Sequence, residues 1–264
     1  LRPLQDARLR IGCAFHSLRA VPEAAMREVL AALPTDAPVH IHIAEQVGEV
    51  QDCLALRNAR PVEWLLREVP VDRRWTLVHA THLTPEETRG IAASGATVAI
   101  CPTTEANLGD GLFPLREYLD AGGAWGIGSD SHVSVSPVEE LRWLEYGQRL
   151  QTRHRNIAVR ADNGSVGETL LHGTLASGAA ATGQAVGLLA PGQAADWIVL
   201  DAQAPVFAGA RPADVADRWL FAGNRPLVRE VRVAGEAVVR GGRHRGREAI
   251  AARYRSTVAT LLAD

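Results

Sequence analysis

Cysteine is scarce and odd in number: Cys13, Cys53 and Cys101 lie far apart in a chain of 264 residues. That spacing supplies neither a disulfide framework nor a Cys-x-x-Cys metal knuckle, and it fits a reducing cytoplasm. Excess charge is missing too, since 28 Lys and Arg face 30 Asp and Glu for a formal net charge of -2. The basic residues are scattered, so the chain has no electrostatic footprint for nucleic acid or an anionic membrane, and a small molecule is the ligand to expect. No run approaches the roughly 20 apolar residues that span a bilayer, and the first residues carry no basic-then-apolar signal, which argues against insertion and export. Methionine occurs once, at Met26 inside a helical pattern, while the chain opens on Leu1. A truncated or processed product is the expectation.

With 47% hydrophobic and 22% charged residues, the chain can bury a sizeable core. Short apolar, β-branched runs at 9–15, 39–44, 75–80, 96–101 and 125–129 read as strands buried on both faces. Helical patterns at 22–33, 61–68, 84–93 and 115–121 alternate with them, some opening on Pro or Thr. This alternation predicts five successive βα units with parallel strands, an α/β class. Beyond Asp130 the pattern predicts helices at 137–150 and 167–182, the second rich in Ala and Gly as close helix packing requires. Short strands at 195–200, 227–233 and 236–240, the last two around a Gly235 turn, precede a final helix at 249–262. The expected division is 1–187 and 188–264, the second a small β-containing lobe with a terminal helix.

Chemistry collects where the strands end, the place at which parallel α/β architectures build active sites. The second strand ends His40-Ile41-His42-Ile43-Ala44-Glu45. Alternation puts His40 and His42 on one face with Glu45 just beyond, a set suited to a metal and a proton shuttle, although a hydrogen-bonded core feature would have the same pattern. The third strand ends Val78-His79-Ala80-Thr81-His82 and the fifth Gly128-Ser129-Asp130-Ser131-His132. A carboxylate directly after a buried strand has to be paired, hydrogen-bonded or metal-bound, so Asp130 is either a cap or a ligand. Three such endings in one sheet point jointly to a site.

That order, His-x-x-Glu then His then Ser-Asp at successive strand ends, resembles the deaminase-like, single-metal branch of the amidohydrolase superfamily of (β/α)8 barrels. Local strings narrow the resemblance to its formimidoylglutamate deiminase family: Phe15-His16-Ser17-Leu18-Arg19, His40 through Gln46, Val78 through His82, Cys101-Pro102-Thr103-Thr104-Glu105-Ala106-Asn107 and Gly128 through Pro137. The likeness runs from about Leu9 through the C-terminal lobe, with Phe15 where a proline is expected. It implies a partial barrel of about the last five βα units. It also implies one divalent metal ion, with zinc favoured over iron or manganese, and hydrolysis of N-formimino-L-glutamate to N-formyl-L-glutamate and ammonia in histidine breakdown.

The resemblance further implies roles. His42 and Asp130 would be metal ligands, with Asp130 also sharing proton transfer, while Glu45 would shuttle the proton and His79 would hydrogen-bond the attacking oxygen. His16 and Arg19 would hold the substrate, Arg19 as a fork for a glutamate carboxylate. The 101–111 segment would be an active-site loop, His82 and His132 would order loops, and His154, His172 and His244 would lie on surfaces. Family members act as homodimers and begin with further strands, the first ending in a His-x-His pair that supplies two more ligands. The sequence at hand contains no such pair outside His40 to His42, so the 264-residue polypeptide is expected to bind metal weakly and turn over little. Two other readings stay open: another aminohydrolase or chlorohydrolase of the superfamily acting on a purine or triazine, which would not need Arg19, and a non-catalytic remnant.

Overall fold

The computed structural model describes residues 9–160, 162 and 164–263. Five parallel strands, β1 (Cys13–Phe15), β2 (Val39–Ile43), β3 (Trp75–His79), β4 (Thr97–Ile100) and β5 (Ala124–Ile127), form one sheet in the order β1-β2-β3-β4-β5. Neighbouring strands pair in step, with Ile41 opposite Leu77, Val98 opposite Trp125 and Ile100 opposite Ile127. Parallel strands in step bring their C-terminal ends to a single edge, the geometry that concentrates functional groups in such folds. Val39, Ile41, Ile43, Leu77, Val98 and Ile100 are fully buried, which explains why these runs read as continuous apolar stretches.

Helices connect and cover the strands: α1 (Glu23–Ala32), α2 (Val47–Arg57), α3 (Pro61–Glu68), α4 (Pro85–Ser94), α5 (Pro102–Leu108) and α6 (Leu115–Asp120). The start of α4 is written locally, since Thr84 and Glu87 form a reciprocal capping box and Pro85 fills the first position. After β5 come α7 (Pro137–Thr152) and α8 (Val166–Thr182), then α9 (Val215–Phe221), with α10 (Arg247–Leu261) closing the chain. A second sheet, antiparallel, comprises β6 (Trp197–Leu200), β7 (Val228–Val233), β8 (Glu236–Arg240) and β9 (Arg243–His244). Its β7–β8 hairpin turns at Ala234 and Gly235, both with positive φ (50° and 80°), as a two-residue turn demands.

The parallel βα arrangement and the later β-containing part agree with the sequence reading, with three differences. β1 covers only 13–15 of the expected 9–15. The stretch 101–111 is not a loop but holds α5, and α2, α9 and the short strand at Arg243–His244 had no counterpart in the sequence reading. The Ala- and Gly-rich α8 packs closely as expected: a Cβ on Gly167 would lie 2.5 Å from the Ala216 carbonyl carbon in α9, and one on Gly173 would lie 2.6 Å from the Trp125 ring.

Past the end of α7 a buried carboxylate takes the amides of the chain, while Arg116 donates to the Ile157 and Val159 carbonyls. Glu145, fully buried, accepts the N–H groups of Ile157 at 3.0 Å and Ala158 at 2.8 Å while receiving Arg149 at 2.7 Å. Replacing it leaves two buried donors unsatisfied, so Glu145→Ala is expected to cost about 2–4 kcal/mol in urea unfolding. A loss below about 1 kcal/mol would show that water or a shifted backbone takes over these bonds.

Candidate active site

The strand ends do not simply stop; they turn through left-handed backbone. Ala44 (φ 51°), His79 (69°), Ala80 (50°) and Asp130 (47°) all adopt a region that costs non-glycine residues of order 1–3 kcal/mol each. Cross-strand bonds hold two of these turns, from Ala80 N–H to the Ile43 carbonyl and from His82 N–H to the Ala44 carbonyl, each at 3.0 Å. The Glu45 amide donates to Glu49 Oε2 at 2.9 Å, which anchors the turn from β2 into α2. Thr104 Oγ1 donates to the Ser129 carbonyl at 2.8 Å and accepts the His132 amide at 3.1 Å, bracketing Asp130.

Six side chains meet at one cleft of about 170 Å³: His42, Glu45, His79 and Asp130 from the ends of β2, β3 and β5, and His16 and Arg19 from beyond β1. All six were singled out from the sequence. Ligand atoms of His42, His79 and Asp130 lie within 4.8 Å of one another. His79 Nε2 stands 3.6 Å from Glu45 Oε1 and 3.7 Å from Asp130 Oδ2, with His79 1% exposed, Glu45 17% and Asp130 29%. The His42 ring lies 5.6 Å from that of His16 and 5.8 Å from that of His79. Arg19 is exposed at the rim. Larger hollows occur elsewhere, one of about 480 Å³ beside Arg60, His82 and Gln148 and one of about 730 Å³ between α7 and the antiparallel sheet. Neither gathers such a donor set among the described residues.

Local charge shapes the groups. Burial pushes the Glu45 carboxyl above its usual range, Asp110, Glu49 and Asp130 add to the rise, and His79 opposes it. For His79, burial works to lower the pKa, but the hydrogen bond and charge of Glu105, with Glu45 and Asp130, prevail and raise it.

The donor chemistry fits a divalent cation. His42 Nδ1 lies 2.8 Å from the His16 carbonyl oxygen, so Nδ1–H donates there and Nε2 keeps its lone pair for a ligand. A second convergence, His79 with Cys101 and Glu105, is buried throughout. There burial drives the Cys101 thiol far up, Glu105, Asp130 and Glu140 assist, and the thiolate that a metal needs is suppressed. All 28 Lys and Arg residues are arginine, so no lysine amine is present for covalent chemistry.

Other residues fall away from the cleft. His40 Nε2 pairs with the Ala181 carbonyl at 2.9 Å, which separates it from His42. His82 borders the 480 Å³ hollow, and His132 Nδ1 accepts the Ser134 amide at 3.1 Å within its own loop. His154, His172 and His244 are exposed. Sequence reasoning missed Glu49, which is 1% exposed and lines the cleft through a first-turn position of α2. It reaches the cleft from the first turn of α2, directly after the strand end that carries Glu45.

Comparisons with known proteins place this geometry. The chain is 53% identical over 260 residues to formimidoylglutamate deiminase of Pseudomonas aeruginosa, a match that covers 98% of the chain and 57% of that relative. It is 28% identical to 5-methylthioadenosine/S-adenosylhomocysteine deaminase of Natronomonas pharaonis, over 89% of the chain and 53% of that protein. The chain thus spans about half the length of the curated relatives it matches. Among solved structures, an amidohydrolase from Brucella melitensis superposes with a TM-score of 0.90 at 45% identity, over 95% of this chain and 55% of that one. A zinc-bound adenosine deaminase from Xanthomonas campestris shares the fold with a TM-score of 0.82 at 24% identity, over 96% of this chain and 57% of its own. The model of the amidohydrolase family matches residues 3–238, and with the strand-end cleft and the partial parallel barrel this shows that the chain belongs to the amidohydrolase family.

Proposed function

We propose that the chain supplies active-site residues of a metal-dependent deiminase that hydrolyses N-formimino-L-glutamate to N-formyl-L-glutamate and ammonia. The observation that carries this reading is the convergence of His42, Glu45, His79 and Asp130 on one cleft with His16 and Arg19 beside them. The likeness to formimidoylglutamate deiminase supports it. His42 and Asp130 would hold one divalent ion, zinc in the first place, although iron and manganese accept the same imidazole and carboxylate donors. The chemistry such an ion supplies is Lewis acidity, which makes water a nucleophile near neutral pH.

The chain's own groups handle the protons. Glu45 takes one from the water that adds to the formimino carbon and passes it to the terminal nitrogen, and the second proton, from the new hydroxyl, follows as the formyl C=O forms, so the C–N bond breaks with loss of neutral ammonia. A carboxylate whose pKa is raised by burial is a stronger base towards that water, closer in proton affinity to the groups it serves. His79 holds the attacking oxygen through Nε2, and Asp130 shares in the transfer. Arg19 offers a planar fork to a glutamate carboxylate, and His16 holds the substrate with it. A cytoplasmic homodimer is the setting this reading implies; among the described residues no helix is long and apolar enough to cross a membrane.

The test is ammonia release from N-formimino-L-glutamate compared with guanine and adenosine derivatives. It is run on this chain co-expressed with the portion of the Pseudomonas relative that the chain does not match. Preference for the formimino substrate, lost in Arg19→Ala, is expected. Preference for a purine with Arg19→Ala unaffected would replace this reading by a purine deaminase, as the 28% likeness to such an enzyme would suggest.

A further inference from the structure

We infer that Glu105 is the positioning residue for His79: it keeps the proton of the neutral imidazole on Nδ1 and so presents a bare Nε2 to the cleft. The inference deepens the deiminase reading and rests on it only for the use to which Nε2 is put.

The geometry leaves one consistent assignment. Glu105 Oε1 faces two nitrogens at once, the Cys101 amide at 2.9 Å and His79 Nδ1 at 3.2 Å. The Cys101 amide can only donate, so the atom opposite it must accept. An acceptor in that place obliges Nδ1 to donate as well, and the neutral ring then carries no proton on Nε2. Both partners are sealed from water, Glu105 at 3% exposure and His79 at 1%, so solvent offers no alternative bond. On the far side of the ring, Nε2 meets Glu45 Oε1 at 3.6 Å and Asp130 Oδ2 at 3.7 Å. Three acceptors facing one point suit an incoming donor, such as the attacking water, better than they suit one another.

α5 is braced to perform this task. Its Thr103 donates from N–H at 2.9 Å and from Oγ1 at 2.5 Å to the buried Glu140 of α7. The adjacent Thr104 grips the Ser129 to His132 turn that carries Asp130. One short helix therefore sets the position of two cleft residues, His79 through Glu105 and Asp130 through Thr104.

The experiment reads the tautomer directly, by nitrogen-15 NMR of the histidine-labelled chain on the high-pH plateau of the His79 signals, because, against the effect of burial, Glu105, Glu45 and Asp130 raise this histidine above the ordinary pKa of about 6.5. The His79 signals are assigned by their loss in His79→Gln. The expected result is a protonated, pyrrole-type Nδ1 and a pyridine-type Nε2. Glu105→Gln should keep this pattern, because the Cys101 amide pins the glutamine oxygen against Nδ1. Glu105→Leu should abolish it. A wild-type chain with the proton on Nε2, an inverted pattern in Glu105→Gln, or unchanged His79 signals in a folded Glu105→Leu each overturns the inference. In the co-expressed protein, Glu105→Leu is expected to lower kcat roughly 10–100-fold with KM little changed, and Glu105→Gln to stay within about threefold of wild type. Equal impairment of both variants would mean that the charge of Glu105 matters rather than its acceptor geometry. The NMR readout needs no turnover, so it stands or falls separately from the deiminase reading.

Discussion

In the co-expressed protein, Glu45→Gln is expected to reduce ammonia release from N-formimino-L-glutamate roughly 10²–10⁴-fold, the range by which a placed proton shuttle accelerates reactions. The substitution is nearly isosteric and the Glu45 backbone bond to Glu49 survives it, so the fold and the divalent-metal content should not change. The effect should fall on kcat, since Glu45 works on the reacting atoms while the proposed substrate contacts, His16 and Arg19, lie elsewhere in the cleft. Asp130→Asn, in contrast, should lower metal content and turnover together. Turnover of Glu45→Gln within tenfold of the wild-type value would remove Glu45 from the proton path and leave His79 or Asp130 to fill it.

The 264-residue polypeptide on its own is expected to retain well under one equivalent of zinc after dialysis and to release ammonia only at background. Catalytic zinc sites ordinarily present three protein ligands and a water. Here the donors within 4.8 Å of one another are His42, His79 and Asp130, and the proposed reading gives His79 to the attacking oxygen rather than to the metal. That leaves a half-buried imidazole and a carboxylate 29% exposed to competing water. Elemental analysis of the purified polypeptide, beside the co-expressed protein, measures the difference. Near-stoichiometric zinc with turnover in the polypeptide alone would show that His79 completes the ligand set and would refute the division of roles proposed for the cleft.

Much of the site was legible because strand ends announce themselves. Ile41, Ile43 and Leu77 are the residues of buried strands, so His42, His79 and Asp130 next to such runs had to have reasons for being there. The capping box of Thr84 and Glu87 and the Ala234-Gly235 turn are equally local and equally readable. What escaped was written in contacts between distant segments. α5 carries consecutive threonines, poor helix formers by themselves, and is held by Glu140, 37 residues from Thr103, and by the Ser129 carbonyl, 25 residues from Thr104. No local pattern contains those partners. α2 hides its apolar stripe in Val50 and Cys53 with the acidic Glu49 among its buried positions, so the segment looked polar and Glu49 went unnoticed. Strand alternation alone did not separate the two histidines of β2; only the family resemblance singled out His42. The Ala181 carbonyl, 141 residues from His40, separates them. β1 is short of its expected length, and next to it Gly12 passes so near the Pro38 carbonyl that an added Cβ would sit 2.2 Å from the oxygen.

The left-handed turns at Ala44, Ala80 and Asp130 also set how this molecule can change over time. Each holds a side chain where the backbone would rather have none, so glycine at Ala44 or Ala80 would relieve local steric cost while loosening the aim of the residues beside it. A search for more heat-resistant variants would therefore be drawn to the mouth of the cleft and would collect sturdier proteins with poorer chemistry. Robustness and reactivity pull against each other at those few positions, whereas below the turns, in the buried strands, they are selected together.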